Sequence, residues 1–410
     1  MKPPRGAMLA AAAAIALGSA SVGCGGNDET GAGGSGAQGG HATGGGAAAG
    51  GGTAGSGGGT GGSGAASSSA AQLAAELGKP ARLLFGLGSV DQAEVQGQSL
   101  TIDFYERYLV GLSDSGGWQT WNTDGSYVNI VAGEADAVGA VPMYTLYQMA
   151  TWGDGNIAGI ADSGFMTLYW DGVRVMFQRL AIYDKPAVVN LEPDFWGYVM
   201  QQAPGGAPTA LSALVTIATE CADLPDDVTG MGRCIVRMGR QYAPNVLLGF
   251  PPSQWGTATA DVVAFMTEVG TAEGDLVIMQ TLDRDAGCFE ANGNECNRQG
   301  VFYWDENNAT SPTFGEHLAD ALAYHTSLQK PLLWWQTPLG VPSDTPGGVA
   351  YHYRDNRVHY IFAHPQEFVD VGALGIVFSP GQSEQTNITT DSGQFQQACA
   401  AYMANPTPLP

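Results

Sequence analysis

Phe165-Met166-Thr167-Leu168-Tyr169-Trp170-Asp171-Gly172-Val173-Arg174-Val175-Met176-Phe177-Gln178-Arg179-Leu180-Ala181-Ile182-Tyr183 leads, after a two-residue break, into Pro186-Ala187-Val188-Val189-Asn190-Leu191-Glu192-Pro193-Asp194-Phe195-Trp196. The first segment carries apolar residues at helical spacing. The second is a short apolar run of the kind expected for a strand buried on both faces. It closes in two acids. A helix feeding a fully buried strand is half of a βαβ unit, and the rest of the chain repeats the pattern.

Apolar runs recur at Arg82–Val90, Gly117–Asn122, Val141–Met149, Ala187–Asp194, Asn245–Trp255, Leu276–Leu282, Leu332–Leu339 and Leu374–Ser379. Between them lie amphipathic segments at Leu100–Leu112, Tyr127–Ala137, Phe165–Tyr183, Asp261–Val269, Gly315–Leu328, Arg357–Phe368 and Gly393–Tyr402. Such alternation predicts parallel strands joined by right-handed crossovers. Eight repeats predict an α/β fold closed into a (β/α)₈ TIM-type barrel, distorted in places. An open doubly wound sheet is the competing arrangement, and no GxGxxG follows the first run.

The 410-residue chain divides into three parts. Residues 1–23 have a basic start at Lys2 and Arg5, a short apolar run and small residues, the layout of a secretory signal. Ser21-Val22-Gly23-Cys24 resembles a lipoprotein signal with Cys24 as the lipidated residue, although Ser21 stands where Leu is usual. Simple secretion is the alternative. Residues 24–71 are almost all Gly, Ala, Ser and Thr, which cannot bury enough apolar surface to fold and read as a flexible tether. Gln72–Pro410 is the part expected to form the barrel, as the catalytic domain if the site residues below bear that role.

Net charge is −23, so nucleic acid and anionic membrane surfaces are poor partners, and any membrane contact runs through the anchor. A neutral polymer such as a polysaccharide carries no such penalty, and the expected state is a monomer. In an exported chain Cys221–Cys234 and Cys288–Cys296 pair as short-loop disulfides and Cys399 is left as a buried thiol. The cysteines and the six His fit no metal site, and no cofactor is implied.

In a barrel, chemistry lies on loops that leave the C-terminal strand ends. Those positions carry acids, amides and indoles. Trp121, Gln148, Trp152, Asn190, Trp196, Trp255, Trp335 and Gln336 are the candidate substrate-binding residues. Indoles stack on sugar rings, and amides bond hydroxyls. Phosphate recognition would call instead for Arg, Lys or Gly-rich helix starts.

Strand alternation puts Asn190, Glu192 and Asp194 on one face. If that face meets the mouth, repulsion plus desolvation raises the pKa of one acid. A protonated carboxyl at neutral pH is what a glycosidase needs on the leaving oxygen. The competing role for Asp194 is to cap the helix that follows. Asp283, Asp285 and Glu384 are the other candidate catalytic carboxylates, each alternatively a loop residue.

The run from Asn156 to Trp255 remotely resembles the inverting cellulases of glycoside hydrolase family six. Ile160-Ala161-Asp162 precedes the helix, Leu191-Glu192-Pro193-Asp194 closes the strand, and Pro244-Asn245 opens the next, which ends near Trp255. Ser379-Pro380-Gly381 resembles the family's last loop. The resemblance implies that Asp194 is the catalytic acid. It departs from the family at Leu146-Tyr147-Gln148-Met149-Ala150 and Phe250-Pro251-Pro252, which lack the expected carboxylates, at Gln385 in the base position, and in strand number.

The expectation is a glycoside hydrolase acting on a β-linked polysaccharide. Asp194 would be the general acid, tuned by Glu192 and opposed by Asp283, Asp285 or Glu384. Inversion is favoured, because Trp335-Gln336-Thr337 carries no acid for the familiar retaining pair. The alternative is a non-catalytic, cell-surface glycan-binding lipoprotein.

Overall fold

Short runs rich in Val, Leu, Ile and aromatic residues, buried along nearly their whole length, form eight parallel strands that close on themselves. They are β1 (Leu84–Gly88), β2 (Phe104–Val110), β3 (Val141–Tyr147), β4 (Ala187–Leu191), β5 (Val246–Phe250), β6 (Leu276–Gln280), β7 (Leu332–Pro338) and β8 (Ala373–Ser379). β1 pairs with both β2 and β8, which seals the ring. The fold is a (β/α)₈ TIM-type barrel. The computed structural model describes residues 68–410 apart from 254–256, 282–285, 293–295, 297–298, 346–348 and 381–385.

Strand alternation sorts side chains between the barrel interior and the surrounding helices. Tyr144 faces outward, its hydroxyl donating to the Val128 carbonyl at 2.7 Å. So does Trp334, whose indole donates to His317 Nε2 at 2.8 Å. Their neighbours Met143, Thr145 and Trp335 therefore point inward. On β2 the same rule sends Phe104, Glu106 and Tyr108 inward and Tyr105 and Arg107 outward.

Seven of the eight expected runs coincide with observed strands to within a residue or contain them; the second does not. Gly117–Asn122 is instead a short helix, Trp118–Trp121, and Leu100–Leu112 holds strand β2 rather than a helix. The physical reason is the Glu106-Arg107 pair. Adjacent charges suggest a solvated helix face, yet Phe-Tyr-Glu-Arg-Tyr-Leu-Val is rich in residues that fit a pleated sheet. Glu106 is wholly buried, and Arg107 lies over the Tyr105 ring, its carbon 4.4 Å from the centroid.

Helices Tyr127–Ala137, Ser163–Tyr183 and Phe314–Leu328 follow the expected segments closely. Asp162 caps the long helix by accepting from the Phe165 N–H at 2.8 Å. Arg357–Phe368 is two helices, Arg357–Ala363 and Pro365–Asp370, because Pro365 lacks the donor that would continue the first. Disulfides join Cys221 to Cys234 and Cys288 to Cys296, and Cys399 is a buried thiol. Among the described residues no helix is long and apolar enough to cross a membrane.

Candidate functional site

Leu191 ends β4, and the next backbone turns leave it abruptly. Glu192 and Asp194 both have left-handed φ, 52° and 67°. Non-glycine residues rarely adopt that conformation, and clusters of it mark functional sites. Gln336 at the end of β7 shares it, with φ 56°.

The left-handed turn at Glu192 breaks the strand alternation. Its carboxylate does not stand beside that of Asp194. It swings against the segment after β3 and accepts from the N–H groups of Gln148 and Met149, both at 3.0 Å. The Tyr169 hydroxyl lies nearby. Glu192 has no exposed surface. Burial pushes it up to about 8 against the pull of those two N–H groups and of Tyr169, and Asp194 is not among the groups acting on it. The expected tuning of one acid by the other is thus replaced by a burial effect, and Glu192 ties β4 to the loop after β3.

Asp194 stands at the cap position of helix Phe195–Gln202, but its side chain makes no capping bond. Ser253 takes the Gly197 N–H instead, at 3.1 Å. The capping alternative for Asp194 therefore falls away. Asp194 lines a small, half-open depression of about 10 Å³ at the ends of β3 and β4, together with Tyr147, Asp154, Asn156, Phe195 and Tyr198. Tyr147 donates to Asp154 Oδ1 at 2.6 Å. Burial first, then the charges of Asp194 and Asp154, push the Tyr147 phenol far above its usual range, so it remains a donor. Trp152, about half exposed, sits on the loop that carries Asp154 and packs edge-on against Phe165 at 4.8 Å.

Toward the barrel centre a second polar group lines the mouth. Gln280 of β6 donates to Gln336 at 3.0 Å, and Gln336 donates to the Tyr108 hydroxyl at 2.5 Å. Tyr108 meets Trp335 at 5.8 Å and Tyr147 at 6.2 Å between ring centroids. One residue layer deeper, Thr145 donates to Glu106 at 2.6 Å and Asn190 reaches the same hydroxyl at 3.5 Å. Burial pushes Glu106 up to about 7, opposed by Thr145, Arg107 and Trp335.

The remaining expected binding residues divide. Gln148 faces away from the mouth: its side-chain oxygen accepts from the Trp118 indole at 3.1 Å, so it packs loop against helix. Trp196 is fully buried, and its indole donates to the Leu191 carbonyl at 2.8 Å. It is a packing residue. Trp121 is exposed, pinned by a bond from its indole to the Gly116 carbonyl and set edge-on to Tyr127. Asn190, Trp335 and Gln336 line the barrel end. Trp255, Asp283, Asp285 and Glu384 lie outside the described residues. Glu106, Tyr108, Thr145, Tyr147 and Gln280 were not singled out from sequence, although the inward alternation of Phe104, Glu106 and Tyr108 would have found the first two. Among the described residues no cluster of His, Cys, Asp and Glu could hold a metal ion.

No protein-family model matches the chain, and no curated protein matches it. Among solved structures it is similar to a Bacteroidetes-affiliated family-five cellulase linked with a polysaccharide utilization locus. Identity there is 10%, with 81% of this chain and 92% of that chain covered, at a TM-score of 0.48. A family-26 protein, GH26C from Muricauda sp., is 10% identical over 77% of this chain and 85% of its own, with a TM-score of 0.43. D-allulose 3-epimerase from Methylomonas sp. is 11% identical over 79% and 98%, with a TM-score of 0.42. At these values no residue role carries over. The specific resemblance to family six finds no support, and the closed eight-stranded ring departs from that family's smaller barrels.

Proposed function

We propose that the barrel binds a β-linked polysaccharide and hydrolyses it, with Asp194 as general acid on the leaving oxygen. The observation that carries this reading is the position of Asp194 on a small, half-open depression at the C-terminal ends of β3 and β4, beside two phenols and a second carboxylate, with a half-exposed indole nearby. Phenols and indoles offer flat apolar faces to sugar rings, and Tyr147, Asn156, Gln280 and Gln336 supply hydroxyl and amide groups. The described residues around Asp194 include no Arg or Lys, so the hollow suits a neutral polymer better than an anionic one.

The base is one of Asp154, Asp283, Asp285 and Glu384. A separation from Asp194 of roughly 6.5–9.5 Å would mean inversion and one of about 5–5.5 Å retention. The disulfides fit an oxidising compartment, and export with lipidation at Cys24 is part of the proposal.

A second reading, glycan binding without catalysis, is favoured by Gln280 and Gln336, amides where a catalytic barrel would often carry acids. Reducing-end release from a panel of glucans, mannans and xylans separates the two. Hydrolysis by wild type that D194N abolishes supports the first reading. Binding with no hydrolysis across the panel supports the second.

A further inference from the structure

Near its end β7 carries one extra residue. Trp334 pairs with Ile376 and Thr337 with Phe378, so Trp335 and Gln336 together face the single residue Val377 of β8. Bulges of this kind are rare between parallel strands; they gather at barrel rims and active sites, where they re-aim a side chain. The left-handed backbone of Gln336 belongs to this bulge. Strict alternation would send Gln336 outward, as it does Trp334. The bulge turns it inward instead. Its amide reaches the Tyr108 hydroxyl of β2 at 2.5 Å, although β8 and β1 lie between the two strands in the ring.

Gln336 is thereby fixed at both ends. Its Oε1 accepts from Gln280 Nε2 at 3.0 Å, and its own Nε2 donates to Tyr108. Turning the Gln336 amide over would set donor against donor at Gln280. Gln280, the last residue of β6, is partly exposed. One of its N–H groups is spent on Gln336. Its Oε1 accepts no hydrogen bond from the described residues and is not among their buried, unpaired atoms. Tyr108 continues the row to Tyr147, with ring centroids 6.2 Å apart, and Tyr147 lines the Asp194 depression. The row therefore runs from β6 across the barrel mouth to the wall of that depression.

A carboxylate at position 280 would offer two acceptors and an ammonium only donors. The amide offers one acceptor and one remaining donor side by side, without charge. That pair matches two adjacent hydroxyls of one sugar ring: one donates to Oε1, and its neighbour accepts from Nε2. We propose that Gln280, positioned by Gln336, is a fork that selects the linkage of the glycan by gripping two adjacent ring hydroxyls of an inner sugar unit. Chains linked 1,4 keep such a pair free, on the second and third carbons. Chains linked 1,3 do not, because the middle hydroxyl of each inner unit carries the bond. The assignment rests on the glycan reading given above and places 1,4-linked chains ahead of 1,3-linked ones.

Gln336 acts through Gln280 and is a positioning residue. Trp335, the other residue of the bulge, packs against Tyr108 at 5.8 Å and supports the far end of the row.

The test measures affinity by calorimetry for cellohexaose, mannohexaose, xylohexaose and the 1,3-linked laminarihexaose. It uses the full chain of wild type, Q280A, Q280M, Q336A and the double variant Q280A/Q336A, and follows sugar release by wild type and D194N in parallel. The proposal expects at least one 1,4-linked probe to bind wild type about tenfold more tightly than laminarihexaose. Q280A and Q280M should cut that preference to about twofold by weakening the 1,4-linked probe. Q336A should cut it as well, and the double variant should go no further than Q280A. Thermal melts confirm that each variant folds; if Q280A does not, Q280M decides. Laminarihexaose bound as tightly as the other three, or Gln280 variants that weaken all four probes equally, would overturn the fork. Effects of Q280A and Q336A that add in full would overturn the positioning role. Hydrolysis lost in D194N with the preference intact in Q280A sinks the fork alone. Hydrolysis kept in D194N while Q280A erases the preference sinks the acid alone. Wild type that binds none of the four overturns both.

Discussion

The Met149 N–H donates to the Glu192 carboxylate at 3.0 Å, so a residue expected to share a face with Asp194 instead clamps the end of β4 to the loop after β3. The clamp holds the two edges of the Asp194 hollow, Tyr147 and Met149 on one side and Pro193 and Asp194 on the other, in fixed relation.

Glu192→Ala is therefore expected to cost stability more than chemistry alone would suggest. It orphans the N–H groups of Gln148 and Met149, each at roughly 1–3 kcal/mol when buried. Urea unfolding should give a loss of about 3 kcal/mol. A loss below about 0.5 kcal/mol would show that water replaces the carboxylate and that no clamp exists.

Stability should fall as pH rises from about 5 to 8. Glu106 and Glu192 are both raised by burial, to about 7 and about 8. An acid raised in the fold ionises first in the unfolded chain. The unfolded state is thus favoured progressively from about pH 4.5 up to the folded value, and the loss is complete above it. Its upper bound is about 1.4 kcal/mol for each pH step that separates the folded value from the unfolded one. Chemical denaturation of E106Q should show a smaller loss between pH 5 and 8 than wild type. An identical slope would mean that Glu106 is ionised in the fold.

Tyr147→Phe removes the hydroxyl that donates to Asp154 and leaves the ring. Stability should change by about 1 kcal/mol or less. The rate of polysaccharide hydrolysis should fall about tenfold or more, since the phenol donates to Asp154 and feels the charge of Asp194. Equal rates would place the reaction elsewhere.

Trp152→Ala should leave stability within about 0.5 kcal/mol, because the indole is half exposed. Its effect belongs in affinity: pull-down on an insoluble glycan should weaken several-fold if the ring is a stacking platform. Unchanged retention would make it an ordinary surface residue resting on Phe165.

The barrel was legible because seven strands are short apolar runs separated by helices of the right period, a pattern that burial on both faces imposes. β2 was not, because its inward acid and outward base sit side by side and mimic a solvated helix. That one misreading hid Glu106 and Tyr108. At the site, sequence placed Asp194 at a strand end, but the left-handed backbone at Glu192 cannot be read from residue types and reverses the direction expected from strand alternation. Gln148 and Trp196 were misassigned for a related reason. An amide or indole near a strand end serves packing as readily as binding, and only its partners decide.

The most direct test is a structure of D194N soaked with a cello-, manno- or xylo-oligosaccharide that the protein binds. The account predicts a sugar seated in the hollow between Tyr147 and Tyr198, with a glycosidic oxygen within hydrogen-bond reach of the side chain at position 194. A saccharide bound only on another face of the barrel, with that hollow holding solvent, would contradict it.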